Sequence, residues 1–283
     1  MTFKDQRLAF AEILKEDYPP EEINSFFYIL TEHYFHLNRF ETHQKDDAIF
    51  PKEKEHQFSE ILKRLKEQEP IQYIIGETEF FGLPFKVTKD TLIPRPETEE
   101  LVELVITEFR ESTTSLKLLD IGTGSGCIAI SLAKNLSNAI VSAIDISEEA
   151  LKIAKENAQL NNVSVEFIKS DILQTSRLEE SYDIIVSNPP YVRDLEKKLM
   201  QPNVLDFEPE GALFVRDDNP LIFYRSIAIL AKNSLKPNGL LVFEINEYLA
   251  LEMTQMLTDL GFTFILTKKD IFGKDRIIQC NFK

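Results

Sequence analysis

The sequence has 283 residues, 43% hydrophobic and 28% charged. That balance excludes a disordered chain, which lacks the apolar surface to offset its conformational entropy, and the length suits a core domain with a smaller partner. A formal net charge of −15 argues against direct nucleic-acid binding, since such proteins need a basic surface to displace counterions from phosphates, although a local basic patch would escape a whole-chain count. No run approaches the roughly 20 apolar residues of a membrane span, and Met1 is followed by Lys4, Asp5 and Arg7 rather than an apolar leader, so a cytoplasmic protein without a membrane association is expected. Two cysteines, Cys127 and Cys280, are too few for a disulfide framework and read as small buried side chains.

From Thr2 to about Glu69 apolar residues recur at three- and four-residue steps, among them Leu8, Phe10, Ile13 and Leu14, then Ile23, Phe26, Phe27 and Leu30. With breaks at Tyr18-Pro19-Pro20-Glu21 and around Lys45 to Lys54, this predicts four or five short helices packed as a bundle over residues 1–69. Its aromatic residues, Phe26, Phe27, Tyr28, Tyr34 and Phe35, read as bundle core, with a partner surface as the alternative. Residues 70–92 change character: Ile71 to Ile75, Gly76 and the run Phe80 to Phe85 suit a hairpin connector. The third region, 93–283, opens with Pro96 and Glu97 as helix-start signals before Leu101, Leu104 and Val105.

Seven strands are predicted beyond Leu116: Lys117 to Ile121, Ile140 to Ile144, Val165 to Ile168, Tyr182 to Val186, Leu240 to Ile245, Phe262 to Leu266 and Arg276 to Cys280. Helical stretches separate most of them, which favours a doubly wound α/β sheet, parallel for the most part. The last two are joined too briefly for a helical crossover and should pair antiparallel. This pattern resembles the Rossmann-like seven-stranded methyltransferase sheet.

The first strand runs into Gly122-Thr123-Gly124-Ser125-Gly126 and then a helix, where glycines let a ligand approach the backbone and the helix start offers unpaired N–H groups. A Gly-rich turn alone also serves other nucleotide cofactors or none. Three details favour S-adenosyl-L-methionine: the spacing is GxGxG rather than GxGxxG, Asp120 ends its strand, and Asp145 ends the next, where a carboxylate can accept both ribose hydroxyls. Asp171 and Ile172, after the third strand, are candidates for the adenine contact, with Asp171 equally readable as a helix cap.

The fourth strand runs directly into Asn188-Pro189-Pro190-Tyr191. Two prolines fix φ and donate no N–H, so this loop presents acceptor oxygens at the sheet edge. The Asn188 side-chain oxygen and the Pro189 carbonyl can receive both hydrogens of a planar NH2 group, with Tyr191 against its flat face. Methyl transfer straight to nitrogen needs no nucleophilic side chain, and the four histidines all lie in the N-terminal part.

These residues carry a resemblance to the HemK/PrmC family of glutamine methyltransferases over nearly the whole chain. It rests on Glu79-Phe80-Phe81-Gly82, Leu92-Ile93-Pro94-Arg95-Pro96-Glu97-Thr98-Glu99, the Gly-rich loop, Asn188 to Tyr191, Glu208-Pro209, Leu235 to Gly239, Glu244-Ile245, and Asp270 with Gly273 to Arg276. The resemblance implies methylation of the glutamine of the Gly-Gly-Gln motif in class I peptide-chain release factors, with residues 1–69 recognising that substrate. It also implies cofactor contacts from Gly122 through Gly126, Asp145 and Asn188. The Asn-Pro-Pro-Tyr motif is shared with adenine and guanine amino methyltransferases, and a sister family modifies a ribosomal-protein glutamine. The Ile93 to Glu99 segment favours the release-factor reading over both.

Overall fold

The computed structural model describes residues 1–282, in two compact units. The first comprises Met1–Gly76 together with Gln201–Phe207. Its main helices are α1 (Phe3–Leu14), α2 (Pro20–Phe35), α3 (Arg39–Gln44), α4 (Lys52–Lys66) and α5 (Ile71–Ile75). Local chemistry sets their starts: Thr2 with Asp5 and Asn38 with Glu41 form reciprocal capping boxes on α1 and α3, and Pro20 opens α2 where its missing N–H costs nothing.

Phe10, Phe27, Phe50 and Phe58 are fully buried at the centre of this bundle. The Phe58 ring lies 5.0 to 6.5 Å from those of Phe10, Phe27, Tyr34, Phe35 and Phe50, within the range of favourable edge-to-face contacts. Phe26, Phe27 and Tyr28 are core residues, and Tyr34 and Phe35 pack against them. Two readings of the sequence differ from the structure. Leu8 and Ile13 are exposed, because α1 buries Phe3, Gln6, Phe10 and Leu14, and Leu8 lies about 200° of helical turn from Phe10. Residues 71–75, expected within a hairpin, form α5: Pro70 precedes its first turn, Ile71 and Ile74 share the core-facing side, and Gly76 ends it at φ 81.

The second unit holds Glu77–Met200 and the chain from Glu208 onward. It opens with the antiparallel hairpin β1 (Glu77–Phe80) and β2 (Leu83–Lys86). There follow α6 (Pro96–Phe109), β3 (Leu116–Ile121), α7 (Cys127–Asn135), β4 (Ala139–Asp145), α8 (Glu148–Leu160), β5 (Val165–Lys169), β6 (Tyr182–Ser187) and β7 (Val192–Arg193). The intervening α9 (Pro202–Leu205) belongs to the first unit. Then come α10 (Glu210–Leu213), β8 (Phe214–Val215), α11 (Ile222–Ser234), β9 (Leu235–Glu244), α12 (Ala250–Asp259), β10 (Thr263–Lys269) and β11 (Asp275–Asn281).

Seven strands form one sheet in the order β10-β11-β9-β6-β3-β4-β5, parallel except for β11, which runs antiparallel to both its neighbours. Successive residues of the central strands alternate between two cores. Leu118, Ile184 and Val242 pack with α6 and α7 on one face, while Leu119, Ile185 and Leu241 pack with α11 and α12 on the other. β9 starts earlier than its apolar run suggested: Tyr182 pairs with Leu235 and Ile184 with Leu240, leaving Lys236 to Gly239 as a bulge that accommodates Pro237.

The parallel strands bring the ends of β3, β4, β6 and β9 to one edge, at Ile121, Asp145, Ser187 and Glu244. From β3 the chain winds outward through β4 and β5 on one side, and from β6 through β9 on the other. The crevice beyond β3 and β6 is therefore the topological switch point. Truncating Phe58 to Ala should destabilise the first unit by about 3–5 kcal/mol, while Phe40→Ala, at an exposed position, should change stability by less than about 0.5 kcal/mol, as read from urea unfolding.

Candidate active site

The β3–β6 register pairs Ile121 with Ser187, so the two loops leaving those strands start side by side. The Ser187 hydroxyl donates to the Ile121 carbonyl at 2.6 Å and ties them together. After β3, Gly122, Gly124 and Gly126 take φ of 78°, 54° and 84°, a region that favours glycine. A Cβ on Gly126 would fall 2.8 Å from Ile130 Cδ1 and 3.1 Å from Ala154 Cβ, so its role is close packing of α7 against α8. A Cβ on Gly122 would face the Asn188 carbonyl at 3.9 Å across the crevice.

Within this turn, Gly122 and Thr123 both donate backbone N–H groups to the Ile144 carbonyl, at 2.8 and 3.0 Å. The buried Thr123 hydroxyl donates to Asp120 Oδ2 at 2.6 Å, and the Ser125 carbonyl accepts from Asn157 Nδ2 at 2.9 Å. Asp145 Oδ2 accepts from the Gly124 N–H at 2.8 Å and its Oδ1 from the Ser147 N–H at 2.9 Å. Burial raises the Asp145 pKa, and those backbone donors oppose the rise. Each carboxylate oxygen retains a further lone pair for a ligand hydroxyl.

A cleft of about 460 Å³ opens over these groups. Gly122, Gly124 and Asp145 line it, together with Asp171 and Ile172 and with Asn188, Pro189 and Pro190. Thr123, Ser125 and Gly126 are buried behind it and act through the turn they shape. Asp171 lines the cleft, but its carboxylate is engaged by the following turn, accepting from the Leu173 N–H at 2.9 Å and Gln174 Nε2 at 2.7 Å. Neither cysteine serves as a nucleophile at neutral pH, because burial pushes the thiols of Cys127 and Cys280 up to about 12.

Tyr191 is partly buried and packs against the core on the α11 and α12 face. Its hydroxyl donates to Glu244 Oε1 at 3.0 Å, and burial, then the Glu244 charge, holds its pKa well above 10. Glu244 ends β9 fully buried, and its Oε2 accepts from the Thr98 hydroxyl at 2.6 Å. Thr98 Oγ1 in turn accepts from Asn188 Nδ2 at 3.3 Å. Burial raises the Glu244 pKa; hydrogen bonds from Thr98 and Tyr191 and the positive Arg276 pull it back.

Thr98 and Glu244 carry this network, yet periodicity does not reveal it. The one local signal is an acidic residue closing the apolar run Leu240 to Phe243. Arg95 has a defined partner: its Nη2 lies 2.5 Å from Glu208 Oε1, while Glu208 Oε2 accepts from the Ile93 N–H at 3.3 Å. That pair ties the segment before α6 to Pro209, Gly211 and Ala212, which complete the cleft wall. Glu97 lies in the first turn of α6, where its charge favours the helix N-terminus.

Two family models match the chain. Residues 8–76 match the PrmC N-terminal domain and residues 98–215 the Methyltransferase small domain. A release factor glutamine methyltransferase of Flavobacterium psychrophilum is 53% identical over 100% of both chains. The chain belongs to the release factor glutamine methyltransferase family. A member from Bacteroides thetaiotaomicron is 46% identical over 95% of this chain and 96% of its own. A methyltransferase from Pyrococcus furiosus shares the fold at a TM-score of 0.52 and 19% identity, over 81% of this chain and 98% of that one.

This family member also carries a buried acid beneath its glycine turn. Burial raises the Asp120 carboxyl from an ordinary 3.8 to about 7, with the Thr123 hydrogen bond opposing. Because the folded pKa is the higher, the group's stabilising contribution is complete at pH below 3.8 and is lost as pH rises through about 7. Asp120→Asn should therefore flatten the fall in urea midpoint over about pH 4 to 7, relative to the parent protein.

Proposed function

We propose that this chain transfers the methyl group of S-adenosyl-L-methionine to the side-chain amide nitrogen of the Gly-Gly-Gln glutamine of class I peptide-chain release factors. The observation that carries the proposal is the adjacency, at one switch point, of a Gly-rich cradle with an anchored carboxylate and a loop of hydrogen-bond acceptors. Near-complete alignment with relatives named release factor glutamine methyltransferase supports the same reading.

The residues present fit the cofactor. Asp145, held by two backbone N–H groups, can accept from a vicinal diol, and the apolar Ile146 and Ile172 on the cleft wall suit a purine ring. Gly122, without a side chain, leaves the approach between the two loops open. When bound, S-adenosyl-L-methionine supplies an electrophilic sulfonium methyl group.

Opposite it, Asn188 Oδ1 and the Pro189 carbonyl accept the two hydrogens of the glutamine NH2 group. Among the described residues neither oxygen is engaged by another hydrogen bond. Holding both hydrogens points the nitrogen along the line of displacement. As the N–C bond forms and the methyl–sulfur bond breaks, leaving the neutral thioether S-adenosyl-L-homocysteine, positive charge develops on nitrogen, and two fixed acceptor oxygens stabilise it without reorganising. One proton leaves the nitrogen, so the product is a neutral secondary amide.

The helical unit is proposed to grip the release factor away from its glutamine loop, with exposed Phe40 and Ile49 as apolar candidates for that contact. No helix among the described residues is long and apolar enough to cross a membrane. A translation-factor substrate puts the enzyme in the cytoplasm.

Incubation with methyl-labelled cofactor and purified release factor should place label on the Gly-Gly-Gln glutamine by mass spectrometry. Label in RNA or a ribosomal protein, with none on that glutamine, would refute the substrate assignment. Asn188→Ala should cut turnover by roughly 100-fold or more with cofactor affinity largely kept, whereas Asp145→Ala should weaken cofactor affinity first, as read by calorimetry.

A further inference from the structure

We infer that Thr98 and Glu244 form a positioning relay that holds the Asn188 side chain in the one orientation able to accept a hydrogen from the substrate amide. The inference rests on the glutamine-methylation reading above and assigns chemistry to Thr98, within the Leu92 to Glu99 segment.

The argument follows the protons. The Thr98 hydroxyl donates to Glu244 Oε2 at 2.6 Å, which uses its single proton. Thr98 Oγ1 is then left as an acceptor toward Asn188. Of the two terminal atoms of Asn188 only Nδ2 can donate, and it lies 3.3 Å away. Oδ1 is thereby directed away from Thr98, and Asn188 is one of the residues that line the cleft.

A flipped amide would lose twice. Its NH2 group would oppose the NH2 group of the substrate, and its oxygen would face a hydroxyl oxygen with no proton to give. The remaining contacts of Glu244 preserve this logic: the Tyr191 hydroxyl occupies Oε1 at 3.0 Å, and Arg276, which precedes the Ile277 partner of Glu244 on β11, favours the ionised form. Arg276 is itself anchored on Asp270 Oδ2 at 3.0 Å. The Tyr224 hydroxyl donates to the Glu244 backbone carbonyl at 3.0 Å and fixes the strand end that carries the relay. Neither Thr98 nor Glu244 lines the cleft, so both act through Asn188.

The test uses the full-length enzyme, S-adenosyl-L-methionine and a class I release factor, comparing wild type with Thr98→Val, Thr98→Ser and Glu244→Leu. Valine keeps the shape of threonine without the hydroxyl. The relay predicts a kcat at least about 10-fold lower for Thr98→Val, with KM for the release factor and calorimetric cofactor affinity within about 2-fold of wild type. Thr98→Ser, which keeps the hydroxyl, should stay within about 3-fold. Glu244→Leu, which removes the acceptor and frees the Thr98 proton to face Asn188, should show the same selective fall in kcat, and it decides the matter if melting curves show that Thr98→Val does not fold.

Equal kcat in wild type, Thr98→Val and Glu244→Leu would overturn the relay, as would a serine variant as impaired as valine. Parallel losses of kcat, cofactor affinity and melting temperature would also overturn it, since they mark a merely structural role. Those outcomes leave wild-type methylation intact. A wild-type enzyme that labels no release factor would instead overturn the methylation reading, and the relay's role with it.

Discussion

The parallel register that pairs Ile121 with Ser187 is the constraint on which the site depends. Two strands 66 residues apart in sequence end at the same level, and the Ser187 hydroxyl bonded to the Ile121 carbonyl locks them there. Because side chains alternate along a strand, a one-residue slip would exchange the two cores and carry the glycine turn out of line with the Asn-Pro-Pro loop. Buried apolar side chains on both faces oppose that slip. Register is set by packing, and the geometry of the candidate site inherits it.

Around this edge the protein buries charge that an ordinary core would avoid. Asp120 and Glu244 are both fully buried carboxyls whose pKa values rise for that reason. Glu244 is tolerated because hydroxyls of Thr98 and Tyr191 satisfy it and Arg276 lies nearby; Glu208 is satisfied by Arg95 and a backbone N–H. Such groups weaken the fold relative to apolar replacements, yet they orient side chains more narrowly than dispersion contacts do. The dense layers on either side of the sheet supply the stability that lets the site keep them.

The helical unit follows simpler rules. Phe58 and its ring neighbours form a core built from local, amphipathic helices, and the caps at Thr2 and Asn38 define where those helices begin. The match to the PrmC N-terminal domain ends at Gly76, the residue whose positive φ terminates α5. Gln201–Phe207 joins this unit without any periodic signal, since a seven-residue segment is too short to display one.

The amino-acid sequence by itself determined the seven strands, their doubly wound class, the Gly-rich turn, Asp145 and the Asn-Pro-Pro loop. Each is written in contiguous residues: apolar runs of strand length, glycines where φ is positive, prolines where no N–H is wanted. It did not determine the inner face of α1, where Leu8 and Ile13 are as apolar as the buried Phe10 and Leu14, nor the helical turn at residues 71–75. Tertiary structure alone decided that Tyr191 bonds Glu244, that Arg95 belongs to Glu208, and that Thr98 meets both Asn188 and Glu244. Those partners are separated by 53 to 146 positions, and only the closing of the sheet edge brings them within hydrogen-bonding distance.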